Sequence, residues 1–140
     1  MRLRSIGFLS LILVFEGCQS STMTAAKLYE KQGDFLKAKD QWLTVLEEEP
    51  DNMEAHYSLG KIHGVEGEYG KMVRSFDLAS GSEFQDEINL TLDRSWRSRF
   101  NDGVRWMDED IDKAIQAFRD ATVIANERLD AWQNLAVLYS

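Results

Sequence analysis

The sequence predicts an all-α protein made of repeated helix-turn-helix units, and two observations support this prediction. First, residues 32–38 return 34 positions later as residues 66–72, with Gly33 and Gly67 at the same place in the phrase. Second, apolar residues on both sides of the phrase recur at the three- and four-residue spacing of an amphipathic helix. A fixed period of this length indicates helix pairs that stack on their neighbours.

The first unit is expected to contain two helices, over residues 24–32 and 35–48. Ala25, Leu28 and Tyr29 give the first of these an apolar face. Gly33 lies where the chain must turn, and glycine suits the left-handed conformation that ends a helix. Pro50 then ends the second helix, because proline cannot continue it.

The second unit repeats this plan, with helices predicted over residues 53–65 and 69–79 and Gly67 at the turn. Small residues have a packing role in both units. Where two helices of a pair cross closely, a glycine or alanine lets the backbones approach, and a large aromatic residue fills the adjacent gap. Gly60 and Ala38 are assigned to such places, with Phe76 facing inward.

The third unit departs from the period. A variant of the repeated phrase occurs a third time over residues 110–114, with Ala114 at the position that Met72 has in the second copy. Ala114 lies 42 positions after Met72 instead of 34, so eight residues have been added. Because apolar residues keep helical spacing throughout this region, we expect one long helix over residues 86–107 whose extra turns extend past the stack. The turn at residues 108–110 lacks glycine, and its acidic residues suit the N-terminus of the helix that follows.

A fourth unit begins after Asn126, and the sequence reaches Ser140 inside its first helix. We expect the chain to be a fragment of a longer protein. The predicted consequence is an exposed apolar face on that helix, made by Trp132, Leu135, Val137 and Leu138.

These units resemble the tetratricopeptide repeat, a helix-turn-helix unit of 34 residues. The matching residues are Tyr29, Ala38, Trp42 and Pro50 in the first unit, Leu59, Gly60, Tyr69, Phe76 and Ala79 in the second, and residues 131–139 in the last. Met72 departs from the usual alanine. The resemblance implies a right-handed superhelix of about three and a half repeats, over residues 24–52, 53–81, 86–126 and 127–140, and a role in binding proteins or peptides.

The N-terminus has the pattern of a targeting segment. Arg2 and Arg4 precede an uncharged apolar run over residues 6–15. Such a run is too short to span a bilayer, which takes about 20 apolar residues, and is typical of a secretory signal. We therefore assign residues 1–17 to a signal peptide and residues 18–23 to a polar tether.

Cys18 follows Gly17 at the end of this run, and the junction resembles the lipobox of bacterial lipoproteins. In that family the cysteine is lipidated and becomes the first residue of the mature chain, which implies anchoring to a membrane of the cell envelope. Phe15 and Glu16 depart from the family pattern. Gln19 is not the aspartate that signals inner-membrane retention, so an outer-membrane location stays open. The alternative is an ordinary cysteine after a plain signal.

Composition excludes some functions. The formal net charge of −8 disfavours binding to nucleic acids, which requires lysine and arginine to displace counterions from phosphates. One cysteine allows no disulfide within the chain. His56 and His63 lie seven residues apart without a third ligand, so packing or surface roles are predicted and no metal or cofactor is expected.

No phosphate-binding loop or nucleophile motif appears, so we expect a binding protein rather than an enzyme, with no small-molecule substrate. In the family that the chain resembles, peptides bind in the concave groove formed by the first helices. The residues matched to that groove, for an acidic or C-terminal segment of a partner protein, are Lys27, Lys31, Tyr57, Lys61, Arg97, Phe100, Gln133 and Asn134. These residues do not reproduce the family's carboxylate clamp, and ordinary solvated side chains are the alternative.

The four tryptophans receive different assignments. Trp42 and Trp132 are assigned to the core by their helical spacing, whereas Trp96 and Trp106 on the long helix are left between core and groove.

The chain as a whole is interpreted as a lipid-anchored scaffold. It is alternatively the docking module of a longer enzyme, or an adaptor whose leader is retained.

Overall fold

The computed structural model describes residues 21–140, and every regular element in this range is an α-helix. The predicted all-α class is confirmed at this level. The seven helices are α1 (Ser21–Gln32), α2 (Phe35–Glu48), α3 (Met53–Val65), α4 (Tyr69–Leu78), α5 (Gln85–Trp106), α6 (Ile111–Ile124) and α7 (Leu129–Leu138). Residues 21–23, which were assigned to the tether, are therefore helical, and Met23 is buried.

The helices pack as successive pairs. α1 packs on α2, α3 on α4, and α5 on α6, while α2 also contacts α3 and α6 contacts α7. Contacts between α4 and α6 and between α3 and α5 join the second pair to the third. The predicted pairing of neighbouring helices is thus present in residues 21–140.

The turns inside the first two pairs have the geometry that the glycines predict. Gly33 has φ +74° and Gly67 has φ +75°, in the left-handed region that favours glycine. The Asp34 N–H donates to the Tyr29 carbonyl at 3.0 Å, and the Glu68 N–H donates to the His63 carbonyl at 2.9 Å. These bonds satisfy carbonyl groups that would otherwise end each helix without a partner.

Three helices begin with a side-chain cap. Asp34 accepts a hydrogen bond from the Lys37 N–H at 3.2 Å, and Asp110 accepts one from the Lys113 N–H at 3.1 Å. Asn52 Oδ1 accepts from the Ala55 N–H at 2.9 Å. The prediction that the acidic turn at residues 108–110 suits the next helix is confirmed, because a carboxylate satisfies a free N–H there.

Close helix crossings occur at glycines, as predicted for Gly60. A Cβ atom at Gly60 would lie 2.4 Å from Cε1 of Phe76, and a Cβ atom at Gly103 would lie 2.7 Å from the ring of Phe118. Phe76 and Phe118 are almost completely buried. In both the second and the third helix pair, an aromatic ring therefore occupies the space left free by a glycine.

Two clusters of buried residues make the core. The smaller lies between α1, α2 and α3 and surrounds Trp42, which is fully buried as predicted. The larger runs from Tyr57 in α3 to Leu135 in α7 and includes Trp96. Trp106 is partly buried at its edge. α3 belongs to both clusters and joins them.

The long helix α5 has the predicted length, but its first turns do not extend past the stack. Ile88 is 2% exposed and belongs to the larger core cluster. The ring of Phe84, just before the helix, stacks on Tyr57 at 4.4 Å between centroids. The added residues return onto α3 because they carry large apolar groups that gain free energy by burial.

The helix α7 buries a different set of residues from the one expected. Leu135 is 5% exposed, so the prediction that it lies on an exposed face is wrong. Trp132 is 49% exposed, so its assignment to the core is wrong. Leu138 packs partly against the core, whereas Val137 is exposed as predicted. The helix presents Ala131 and Leu135 to α6, which turns Trp132 outward.

Candidate functional site

The first and third helices together form an open depression of about 280 Å³. Lys27 and Lys31 of α1 and Tyr57 and Lys61 of α3 all line it. These are four of the eight groove residues predicted from the sequence. Their spacing along two neighbouring helices brings them to one surface.

Ion pairs across this depression link the two helices. Lys27 Nζ lies 2.9 Å from Glu54 Oε1, and Lys61 Nζ lies 3.1 Å from Glu30 Oε2. Glu30 is also fixed by a hydrogen bond from the core, since Nε1 of the buried Trp42 donates to Glu30 Oε1 at 2.6 Å. These glutamates were not predicted from the sequence, because the lysine with which each one pairs is on the other helix and distant along the chain.

Lys31 differs from the other two lysines. It is exposed and lines the depression, and no carboxylate lies within ion-pair distance of it among residues 21–140. Three lysines therefore face two glutamates in this depression, within a chain whose net charge is −8. The depression is locally basic and holds one ammonium group that is available to an incoming anion.

Tyr57 is a fixed wall of the depression. Its hydroxyl donates a hydrogen bond to the Glu87 carboxylate, and its ring stacks on Phe84 with an interplanar angle of 3°. Burial, together with the hydrogen bond to Glu87, raises the pKa of Tyr57 above its usual value. Lys61 Nζ lies 4.6 Å from the ring centroid, within the range of a cation–π contact.

The other four predicted groove residues lie elsewhere. Arg97 is exposed, with Nε 2.8 Å from Asp93 Oδ2. Phe100 stacks on Trp96 at 4.9 Å between centroids and packs against the core. On α7, Gln133 is exposed and Asn134 Nδ2 donates to the Asp130 carbonyl at 2.8 Å. None of them lines the depression between α1 and α3.

A second polar depression, of about 240 Å³, lies between α5 and the start of α7. Asp93 accepts from Arg97 and also pairs with Arg128, at 2.6 Å between Oδ1 and the guanidinium. Arg128 stands 4.3 Å from the ring of Trp96. The four-residue spacing of Asp93 and Arg97 was visible in the sequence, but nothing local pointed to Arg128, which is 35 residues away.

The turn between α3 and α4 gathers a histidine and two glutamates. Within residues 21–140, the only such group with donor atoms within 4.8 Å of one another is His63, Glu66 and Glu68. Lys39 Nζ lies 2.6 Å from Glu66, and Lys71 Nζ lies 2.8 Å from Glu68, so each carboxylate already has an ammonium partner. The hydrogen bond from Lys71, with smaller contributions from His63 and Lys39, lowers the pKa of Glu68 to about 2.

His56 and His63 are both buried and both paired. His56 Nε2 lies 2.8 Å from the Pro50 carbonyl, to which it donates. His63 Nδ1 lies 2.9 Å from Glu68 Oε2. The two rings therefore contact different partners.

Cys18 and the predicted leader lie outside the described residues. Among residues 21–140, no helix has both the length and the apolar character needed to cross a membrane. Comparison with protein-family models found no match, and a search among curated proteins also found none.

Proposed function

We propose that this chain is a protein-binding scaffold of the bacterial cell envelope, tethered to the membrane through a lipidated Cys18. The proposed architecture is a tetratricopeptide-like, right-handed solenoid of about three and a half repeats. The proposal includes no enzymatic activity and no cofactor. The observation that supports it best is the convergence of Lys27, Lys31, Tyr57 and Lys61 on one depression between α1 and α3.

The repeated architecture rests on equivalent contacts in successive helix pairs. The left-handed glycine recurs at Gly33 and Gly67. The aromatic ring over a helical glycine recurs in α3–α4 and in α5–α6. Such repeated contacts between neighbouring units are what a stack of helical repeats requires.

The chemistry of the depression favours a ligand with carboxylate groups. Lys31 offers an ammonium that has no ion-pair partner among residues 21–140, and the pair Lys27–Glu54 is at the surface, where an ion pair contributes only about 0–1 kcal/mol. A ligand carboxylate can therefore bind Lys31, or replace Glu54 as the partner of Lys27, at little cost. An acidic or C-terminal peptide segment of a partner protein has this chemistry.

The test uses a fluorescent acidic octapeptide with a free C-terminal carboxylate and measures its binding by anisotropy. Lys31→Glu and Lys61→Glu should each weaken binding about tenfold or more, because each replaces an attractive charge with a repulsive one. Lys113→Glu is the matched control, since it changes the net charge equally on the exposed surface of α6, away from the depression. An equal loss of affinity in all three variants would mean that net charge alone governs binding, and would rule out this groove.

The tether is tested separately. Cys18→Ser should abolish labelling by a radioactive or clickable fatty acid and release the protein from membranes. A Cys18→Ser variant that keeps its label would contradict lipidation at Cys18. A variant that loses its label but stays membrane-bound would contradict the lipid as the tether, and either result would leave the groove untouched.

A further inference from the structure

Three connecting segments lie at the same end of the helices as the start of α1. Short turns make the helices of the first two pairs antiparallel, so Ser21 at the start of α1 lies beside the α2–α3 turn. The segment before α5 is at this end too, since Phe84 stacks on Tyr57 in the second turn of α3. Arg128 places the α6–α7 turn there as well, because it pairs with Asp93 in the first half of α5.

These segments, residues 47–52, 77–87 and 125–130, form an acidic edge. Together they hold ten carboxylate side chains and one arginine, so the edge carries a formal charge of −9. The rest of residues 21–140 has 13 acidic and 13 basic side chains and is therefore neutral. The net charge of the described chain is thus concentrated at one end of its helices.

The carboxylates of the acidic edge are also unpaired. Among residues 21–140, none of the ten lies within ion-pair distance of a lysine, arginine or histidine. The turns at the opposite end differ, because four of their carboxylates pair with lysines: Asp34, Glu66, Glu68 and Asp110. The acidic edge therefore projects a stronger negative field than the opposite end.

The proposed anchor at Cys18 brings this edge close to the lipid. Cys18 precedes Ser21 by three residues, and three residues span at most about 11 Å. The screening length at physiological ionic strength is about 8 Å, so headgroup charges act on residues 47–52 beside the start of α1. α3 has 13 residues and rises about 20 Å, more than two screening lengths, so the opposite turns are screened from the membrane.

We propose that the acidic edge makes membrane anchoring through Cys18 sensitive to the charge of the lipid. The edge repels anionic headgroups, so the anchored chain binds a surface of neutral headgroups more tightly than an anionic one. The surface that suits this edge is therefore a membrane low in anionic lipid. This inference rests on the proposed anchor and is independent of the basic depression between α1 and α3.

The test uses the mature chain, residues 18–140, alkylated at Cys18 with a tetradecyl maleimide. Cys18 is the only cysteine of the sequence, so the reaction is specific. One such acyl-length chain gives reversible membrane binding, which can be measured at equilibrium. Vesicle sedimentation in EDTA compares phosphatidylcholine vesicles with vesicles in which one third of the lipid is phosphatidylglycerol.

We expect the anionic vesicles to bind the alkylated chain at least about tenfold more weakly than the neutral ones. The reason is the repulsion between their headgroups and the unpaired carboxylates of the acidic edge. In about 1 M salt the screening length falls to about 3 Å, so the difference between the two kinds of vesicle should disappear.

Two triple variants separate the position of the charge from its amount. The first neutralises the acidic edge beside α1, through Glu47→Gln, Glu48→Gln and Glu49→Gln. The second neutralises exposed carboxylates at the opposite end, through Asp108→Asn, Glu109→Gln and Asp112→Asn. Both change the net charge equally, but only the first should recover binding to anionic vesicles, by about threefold or more, because the second set is screened. Circular dichroism should show equal helix content in both.

Three results would overturn the proposal. Equal partition into both kinds of vesicle, or tighter partition into the anionic ones, means that the acidic edge does not face the lipid. Equal recovery by the two variants means that net charge governs binding and its position does not. Each of these results leaves lipidation in the cell untouched, because the maleimide supplies the lipid in the vesicle experiment, whereas fatty-acid labelling of Cys18→Ser tests the anchor alone.

Discussion

Gly60 shows how a missing side chain sets the distance between two helices. The ring of Phe76 occupies the space that a Cβ atom at this position would need. The same arrangement recurs at Gly103 and Phe118. At the residue scale, the closest contacts of this fold therefore depend on the absence of a methyl group.

Gly60→Ala should lower the free energy of unfolding by about 1–3 kcal/mol, the usual cost of overpacking a close-packed core. Gly70→Ala is the matched control, because its Cβ atom would lie 4.0 Å from the nearest atom, in Val123. That substitution should be neutral or stabilise by up to about 1 kcal/mol, since alanine favours a helix. Urea denaturation of both variants measures the difference, and equal stabilities would refute the close contact.

Glu68 should make stability depend on pH in the acid range. The hydrogen bond from Lys71 is the main reason that its pKa is lowered to about 2 in the folded chain, from the usual value of 4.5. A lowered folded pKa means that the stabilising contribution is present above pH 4.5 and is lost as the pH falls toward 2. The difference in melting temperature between the native chain and Glu68→Gln should therefore be largest near neutrality and disappear near pH 2.

Thermal unfolding between pH 2 and pH 7 measures this dependence. Glu48→Gln is the control, because Glu48 is an exposed glutamate at the end of α2. A constant difference between the native chain and Glu68→Gln across this range would contradict the assignment of the lowered pKa.

At the scale of elements, α5 is the helix that departs from the 34-residue period. It has 22 residues, and its first turn packs on α3 through Ile88 and the hydrogen bond between Glu87 and Tyr57. The added residues therefore support the wall of the basic depression, because Tyr57 is held between Phe84 and Glu87. The third unit, which departs from the 34-residue period, therefore stabilises the depression beside α3 of the second unit.

Ile88→Ala should cost about 2–5 kcal/mol of stability, the range for truncating a buried isoleucine. Leu90→Ala should cost much less, since Leu90 lies on the same helix and is 48% exposed. Chemical denaturation compares the two. If both variants lose the same stability, the first turn of α5 does not pack on α3 in solution.

At the scale of the whole molecule, two core clusters meet at α3. Each helix pair contacts its neighbours. We therefore expect the free energy of local unfolding to differ between the two clusters, so that one end of the stack can unfold while the other stays folded. The smaller cluster contains Trp42 at its centre and includes α1 and α2. The larger cluster holds the third pair and α7.

Trp42→Ala should therefore unfold one end of the molecule before the other. The loss of a fully buried tryptophan costs about 3–5 kcal/mol. Hydrogen exchange should show lost protection in α1 and α2, while amides of α5 and α6 keep theirs. A uniform loss of protection along the chain would indicate a single cooperative unit instead.

Much of the fold could be read from local patterns, because helices and turns depend on residues close in sequence. Gly33 and Gly67 end their helices as predicted, and Asp110 caps α6. The close approach at Gly60 was predicted from the rule that small residues lie where paired helices cross. Four of the eight candidate groove residues line one depression, and two of them, Lys27 and Lys61, are at positions 34 residues apart on α1 and α3.

The sequence by itself therefore determined the helix pairs, their turns and the basic side chains of the first two units. Only the tertiary structure decided which distant groups meet: Glu87 with Tyr57, Arg128 with Asp93, and Leu135 rather than Trp132 with the core. The physical reason is that a helix has several apolar residues around its surface, and its neighbours select which of them are buried. That selection buries Leu135 of α7 and leaves Trp132 of the same helix half exposed.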